Sequence, residues 1–299
     1  MLVVLSEATL NQQQTTNERE LNLITETARM LGLRVYALPP EPEQWADFEA
    51  VLAYVPVFEQ PQTGIWVGYI PKPEHYAALY HAAATRNIWL INTPEQYQTA
   101  MEFDRFYPLL GELTPLSCVI TELGQLAAAE DRLGWPIFVK GAIKSNKEQG
   151  WQACVATTSA ELEHLSVQLL NQPAQARGRV ILRRFVQLRT LESHYQAFPL
   201  GREYRVFVYQ NQVLAYGFYW DAPSEEFALN VAELASVKNL AREAARRVGT
   251  PFIAVDIGQL INGEWIVIEV GDGQFSGLSQ VQALELWSQL KAKLEVVAE

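Results

Sequence analysis

The segment that most limits what this chain can fold into is Phe252–Val270, two apolar strand-like runs that meet at Asn262-Gly263. Asn-Gly is the strongest two-residue hairpin signal, because both central positions of the favoured turn need positive φ. With Asn262 and Gly263 as the loop, Asp256 lies directly opposite Glu269. Opposed side chains have Cβ atoms about 4.5–5.5 Å apart, where like charges destabilise. Phe252, Ala254 and Asp256 share one face, as do Trp265, Val267 and Glu269. Two carboxylates on a largely apolar face repel each other and lose hydration. Two arrangements relieve this. Either a divalent cation bridges them, with Mg²⁺ suited to carboxylate and phosphate oxygens, or one acid is protonated or paired with an Arg. Asp272, within Gly271-Asp272-Gly273, is either a third ligand or a turn residue.

Composition narrows the function classes. The 299 residues include 23 Lys and Arg against 34 Asp and Glu, a net charge of −11, with 49% apolar residues. That is globular composition, and the length suits roughly two domains with their own cores. The acidic balance argues against a general nucleic-acid coat or a polybasic membrane binder. The charge is uneven, however. Residues 1–131 hold six basic and 17 acidic side chains, residues 132–205 hold eleven and five, and residues 206–299 hold six and twelve. A basic middle in an acidic protein either suits a compact polyanion, such as a nucleotide polyphosphate, or is chance clustering on a solvated face. Two cysteines, Cys118 and Cys154, are too few for a disulfide framework. With no signal-like N-terminus and no run near the ~20 apolar residues of a bilayer span, the expectation is a soluble, cytoplasmic protein.

Strand and helix signals alternate through residues 1–94. Leu2–Leu5 reads as a strand, and Thr15-x-x-Glu18 as a capping box opening a helix that Gly32 stops. Leu33–Leu38, Val51–Val57, Ile65–Ile70 and Ile88–Ile91 read as strands, and Pro73–Arg86 as a helix. Thr93-Pro94-Glu95-Gln96 caps a helix running to about Leu110. Pro136–Lys140 and Trp151–Ala156 are expected strands around the loop Gly141–Gly150, and Val180–Leu188 a long strand. Tyr204–Tyr209 and Val213–Trp220 form another hairpin. Glu225–Val248 and Leu284–Val297 are helical.

Lys140 ends a strand, and Lys144 and Lys147 follow in a glycine-bounded loop. Ammonium groups on such a loop can close over a triphosphate, although a Lys-bearing loop is usually just solvated. Arg184 shares a face with Val180, Leu182 and Val186 and there calls for a buried anion or a salt bridge, while Arg183 and Phe185 face the other way. Glu203 and Arg205 share a face and are expected to pair. There is no G-x-x-x-x-G-K-[ST], G-x-G-x-x-G or H-E-x-x-H pattern, and the four histidines lack ligand spacing.

Taken in order, the strand-Lys-loop-strand unit, the long strand, Glu203-Tyr204-Arg205-Val206-Phe207-Val208, Val255-Asp256-Ile257 and Ile268-Glu269-Val270-Gly271-Asp272-Gly273-Gln274 resemble the ATP-grasp superfamily. The chain looks like the divergent branch that holds the eukaryotic cell-division-cycle protein assisting translation-factor assembly and compact bacterial proteins of undefined substrate. The resemblance covers about residues 95–299. It implies an α+β ATP-grasp fold, two α+β lobes clasping ATP, preceded by an α/β layer. The corresponding domains are 1–94 (the layer), 95–185 (small lobe with a phosphate-covering hairpin) and 186–299 (large lobe with the metal site). It also implies that Lys140 contacts the phosphates and Lys144 belongs to the covering loop. Leu182, Arg183, Arg184, Phe185 and Val186 would read the adenine. Arg205 would face phosphate or substrate, and Asp256 and Glu269 would hold Mg²⁺. Gly271 stands where the family usually has Asn, which removes one oxygen ligand unless Asp272 compensates.

The implied activity is an ADP-forming ligase that phosphorylates a carboxylate for attack by an amine or thiol. Its partners would be ATP and an acceptor of unknown identity, without nucleic acid or membrane. The alternatives are an ATP-binding assembly or chaperone-like factor, and a protein-modifying peptide ligase.

Overall fold

The computed structural model describes residues 2–9, 15–39, 44–143, 145–190, 199–222 and 228–296, with only the backbone of Glu148 and Val296. Among these no helix is long and apolar enough to cross a membrane.

The first layer runs β1 (Leu2–Ser6), α1 (Thr16–Met30), β2 (Arg34–Ala37), α2 (Phe48–Val51), β3 (Gln62–Val67), α3 (Pro73–Ala84) and β4 (Ile88–Leu90). Its strands form a parallel sheet in the order β2-β1-β3-β4. β1 is apolar on both faces because both are covered. Leu2 and Val4 join one core, and Val3 and Leu5 another with Trp66 and Tyr76. The capping box at Thr15 and Glu18 forms. Residues 51–57 are not a strand. Asp47 accepts the N–H groups of Glu49 and Ala50 and starts the short α2, whose turn continues past Val51. Gln62–Val67 takes the place beside β1 instead.

Next come α4 (Pro94–Met101) and α5 (Phe103–Leu110), a single helix in expectation but broken at Glu102, whose backbone is extended. Then follow β5 (Ser117–Ile120), α6 (Leu126–Leu133), β6 (Ile137–Gly141), β7 (Val155–Ala156), α7 (Ser159–Leu170), α8 (Pro173–Ala176) and β8 (Val180–Arg184). The second sheet is antiparallel, β5-β8-β6-β7. Trp151–Ala153 is a 3₁₀ turn, so β7 keeps only two of the six expected strand residues. The long strand ends at Arg184. Beyond it Leu188 bridges to Leu260, which carries the chain from the second sheet to the third.

The third sheet is built from β9 (Glu203–Tyr209), β10 (Gln212–Phe218), β11 (Phe252–Gln259) and β12 (Trp265–Asp272), in the order β10-β9-β11-β12. α9 (Val231–Val248) connects β10 to β11, and α10 (Ala283–Val296) closes the chain. α9 starts at Val231, where Asn230 and Glu233 form its capping box; residues 225–227 of the expected helix lie outside the described residues.

The hairpin tip differs from the two-residue turn. Leu260 N–H donates to Glu264 O at 2.8 Å around a three-residue loop, and among these residues only Gly263 has positive φ, +92°. This pairs Gln259 with Trp265 and Ile257 with Val267, one residue out of the expected register. An irregularity between Asp256 and Ile257 takes up Ile268 and restores Asp256 opposite Glu269. The bulge also turns Val267 to the far face, into the core of Val255 and Ile257.

Candidate active site

β9, β11 and β12 present Glu203, Arg205, Asp256 and Glu269 on the face turned toward the second sheet. The Arg205 guanidinium forks onto Asp256, with Nε to Oδ1 and Nη2 to Oδ2 both at 2.8 Å. Its Nη1 donates to Gly277 O at 2.7 Å, and its Cζ lies 4.9 Å from the centroid of the Tyr219 ring. Asp256 next to it raises the affinity of the guanidinium for its proton above the ordinary arginine range, against the cost of burial. Lys140, at the end of β6, reaches across from the other sheet and donates to Glu269 Oε1. Burial pushes the Glu269 carboxyl up, but Lys140, Arg183 and Lys147 outweigh it and hold it below its ordinary value.

Between the sheets is a cavity of about 550 Å³, lined by Phe138, Lys140, Lys147, Arg183, Arg184, Phe185, Val186, Leu188, Glu203, Ile268 and Glu269, among others. It is cationic along the second sheet, apolar along Phe185–Leu188 and acidic along the third sheet. Arg183, not Arg184, is the buried arginine of β8. Ile181 and Arg183 face the third sheet, while Val180 and Leu182 face the helices behind. Arg183 Nη1 donates to Ile268 O at 2.6 Å, its Nη2 has no partner, and burial lowers its affinity for its proton to about 10. The Arg184 guanidinium turns back onto the carbonyls of Leu133 and Arg132. Leu182 is packed in the core behind the sheet and does not line the cavity.

Two more expectations change, and a third falls outside the described residues. Glu203 does not pair with Arg205, which is engaged by Asp256. Glu203 is buried, accepts from Trp220 Nε1 at 3.2 Å, and burial raises its carboxyl above the ordinary range. Asp272 is not a third ligand beside the pair. It alternates with Glu269 on β12, so its carboxylate points to the far side. There it accepts from Asn92 Nδ2 and Gln274 N–H, both at 2.8 Å, and ties the first layer to the third sheet. Burial pushes Asp272 up to about 6. Lys144 lies outside the described residues. Its neighbour Lys147 does reach the site, with Nζ 5.2 Å from the Trp220 ring and 5.8 Å from that of Tyr219.

At Gly271 an added Cβ would stand 2.8 Å from Ser276 Oγ. The serine hydroxyl, donating to Asp272 O at 2.8 Å, occupies the space that a side chain at 271 would need.

A cleft of this kind, with cations and a connecting segment on one sheet and paired acids on the other, accords with the sequence relationship found for residues 132–290. These match the family described as ATP-grasp domain, R-2-K clade family 3. The chain belongs to this ATP-grasp family. Its fold is likewise that of solved ATP-grasp proteins. A D-alanine–D-alanine ligase from Bacillus anthracis complexed with ATP is 12% identical, with a TM-score of 0.67 over 99% of this chain and 98% of that one. D-cycloserine synthetase DcsG is 14% identical, with a TM-score of 0.62 over 98% and 100%. A RimK domain ATP-grasp protein from Sphaerobacter thermophilus is 14% identical, with a TM-score of 0.60 over 98% of each chain. No curated protein matches the sequence. At these identities the shared property is the ATP-grasp fold.

Two features of this ATP-grasp chain escaped the sequence. Nothing local marks Glu203 as a cavity acid, since Glu-x-Arg on one strand face is an equally good local pair. The seat of Lys147 among Phe138, Tyr219 and Trp220 joins two lobes far apart in sequence.

Proposed function

We propose that the chain is an ATP-dependent ligase that transfers the γ-phosphoryl group of ATP to a carboxylate, giving an acyl phosphate and ADP. An amine or thiol then displaces phosphate. The observation that carries this reading is the meeting of Lys140 with Glu269 at the cavity, in register with the Arg205–Asp256 pair. The apolar walls at Phe185–Leu188 suit a purine. Lys140, Lys147 and Arg183 offer donors to the phosphates and to the negative charge that develops on the transferred group. Arg205 fixes the Asp256 carboxylate in one orientation.

Asp256 and Glu269 are hard oxygen donors on neighbouring strands, and this donor set fits Mg²⁺. Among the described residues no group of three or more acidic, His or Cys side chains gathers to hold an ion. The pair would thus supply two ligands, leaving the rest to phosphate oxygens and water. A bound Mg²⁺ would neutralise phosphate charge.

The test is a thermal-shift series with ATP, ADP and GTP, each with and without Mg²⁺, followed by ADP release with mixed amino-acid acceptors. A saturating ATP complex at 100 Kd adds about 2.7 kcal/mol of stability. Melting that ignores every nucleotide overturns the reading, as does an Asp256→Asn variant with full turnover.

A second reading, an ATP-binding assembly factor without turnover, draws on Gly271 and on the engagement of Asp256 by Arg205. It expects an ATP-dependent shift with no ADP release for any acceptor.

A further inference from the structure

The chain crosses into and out of the second sheet at one end of that sheet. It enters β5 at Ser117 and leaves β8 at Arg184. The two crossings are neighbours, because Ser117 pairs with Arg183 and Arg184 N–H donates to Leu116 O at 2.8 Å. Between them, residues 117–184 stay with the sheet and the helices packed behind it. Paired crossings of this kind act as a hinge. A lobe hinged there opens by parting its opposite end, where Val180 pairs with Ile120 and Gly141.

Two arginines fasten that opposite end. Arg177 and Arg179 lie between α8 and β8, just before Val180. Arg179 Nη1 donates to Asp104 Oδ1 at 2.5 Å and to Glu102 Oε2 at 3.3 Å. Arg177 Nη2 donates to Pro71 O at 3.1 Å, and its Nη1 stands 3.8 Å from Glu102 Oε1. Pro71 belongs to the first layer, and its carbonyl is also held by the Tyr97 hydroxyl at 2.6 Å. Asp104 lies on α5, whose Phe103, Phe106 and Leu110 are packed in the core of the third sheet. The break between α4 and α5 falls at Glu102, which meets both arginines. The second sheet is thus tied to both other layers at the end away from its hinge.

The backbone commits to this contact. Arg177 has φ +45°, a left-handed conformation that few side chains adopt and that stores strain. α8 is in turn fixed to the strand of Lys140. Ile143 N–H donates to Gln175 O at 2.9 Å, and an added Cβ at Gly141 would stand 2.4 Å from the same carbonyl. Displacing the arginines therefore displaces Lys140 as well. Neither arginine lines the cavity, so a nucleotide that engages Lys140 leaves these contacts in place. Their side chains are 20% and 19% exposed, which lets dissolved salt weaken them.

We propose that Arg177 and Arg179 form an ionic latch that must part before the cleft opens, and that this latch sets how fast a bound nucleotide leaves. Lobe opening and product release limit turnover in many enzymes that close over their substrates. The nucleotide in this proposal rests on the ligase reading; the latch does not.

The experiment compares the full chain with an Arg177→Gly/Arg179→Met variant. Glycine adopts the left-handed backbone at 177 without strain, so the variant keeps the turn while losing the guanidinium. Release of N-methylanthraniloyl-ADP, followed by stopped-flow fluorescence, should be at least tenfold faster from the variant. Raising NaCl from about 50 to about 500 mM should speed release from the wild type more than from the variant. Small-angle X-ray scattering of the nucleotide-free proteins should give a larger radius of gyration for the variant. Release at the wild-type rate, or with the same salt dependence, overturns the latch and leaves the ligase reading standing. Failure of the wild type to bind the labelled ADP sinks the ligase reading instead. Scattering then decides the latch alone, an unchanged radius of gyration overturning it.

Discussion

Lys140, at the end of a strand in the second sheet, donates its ammonium proton to Glu269 on the third. Lys140 is buried and Glu269 partly exposed on opposite sides of the cavity, and their contact is an electrostatic link between its walls. Removing one partner leaves the other desolvated and unmatched, which costs more than the pair contributes.

Lys140→Met should therefore lower stability by about 1–3 kcal/mol, the solvent-accessible part of Glu269 keeping the cost at that level. ATP affinity should fall at least tenfold. Lys140→Met combined with Glu269→Gln should recover most of the stability but none of the affinity. Urea unfolding of the four proteins gives the coupling, and a purely additive result would show that the residues do not interact.

Arg205→Lys keeps the charge but loses the fork onto Asp256 and the bond to Gly277 O. A stability loss of about 1–3 kcal/mol is expected, with a weaker Mg²⁺-dependent part of the ATP shift. An Arg205→Lys protein with the wild-type Mg²⁺ dependence would remove the positioning role of Arg205.

Glu7 gives a pH signature. Its carboxyl lies at about 7 in the folded protein against 4.5 as the ordinary value. The folded state thus holds the proton more tightly. The contribution is complete below pH 4.5 and is lost as pH rises through 7, roughly 2–3 kcal/mol between pH 5 and pH 8. Denaturant unfolding at those two pH values should show this loss in the wild type and a flatter dependence in Glu7→Gln. Equal slopes would refute it.

Gly271→Asn restores an amide where Ser276 Oγ now sits 2.8 Å from the Cβ position. Alone it should destabilise by about 1 kcal/mol as the hydroxyl gives up its bond to Asp272 O. With Ser276→Gly the side chain should fit, and Mg²⁺-dependent nucleotide binding should strengthen, as titration calorimetry would register. An unchanged Mg²⁺ dependence in the double variant would mean that residue 271 does not face the ion.

The sequence was most informative where a feature is local. Thr15 and Thr93 bond their own N3 residues, so their capping boxes depend on almost nothing else. The Asp256–Glu269 pairing was anticipated through a two-residue turn that does not form; the wider loop moves the register by one and the bulge at Ile268 moves it back. That Arg183 and not Arg184 is the buried arginine of β8, and that Asp272 turns to Asn92 and Gln274, was not legible, because burial at a strand end depends on which face another sheet covers. Val51–Val57 has strand composition, yet the one place beside β1 is filled by Gln62–Val67. The cavity position of Glu203 and the aromatic seat of Lys147 become legible only when the lobes are brought together.

The bulge at Ile268 also separates two engineering problems. The spacing of the acids is fixed below it, by the rungs that join β11 to β12 from Asp256–Glu269 to Ile253–Asp272, whereas Ile261–Gly263 at the tip is exposed and touches neither acid. An affinity tag or fluorophore-bearing insert could replace those three residues, giving a handle on the large lobe that leaves the acidic pair where it stands.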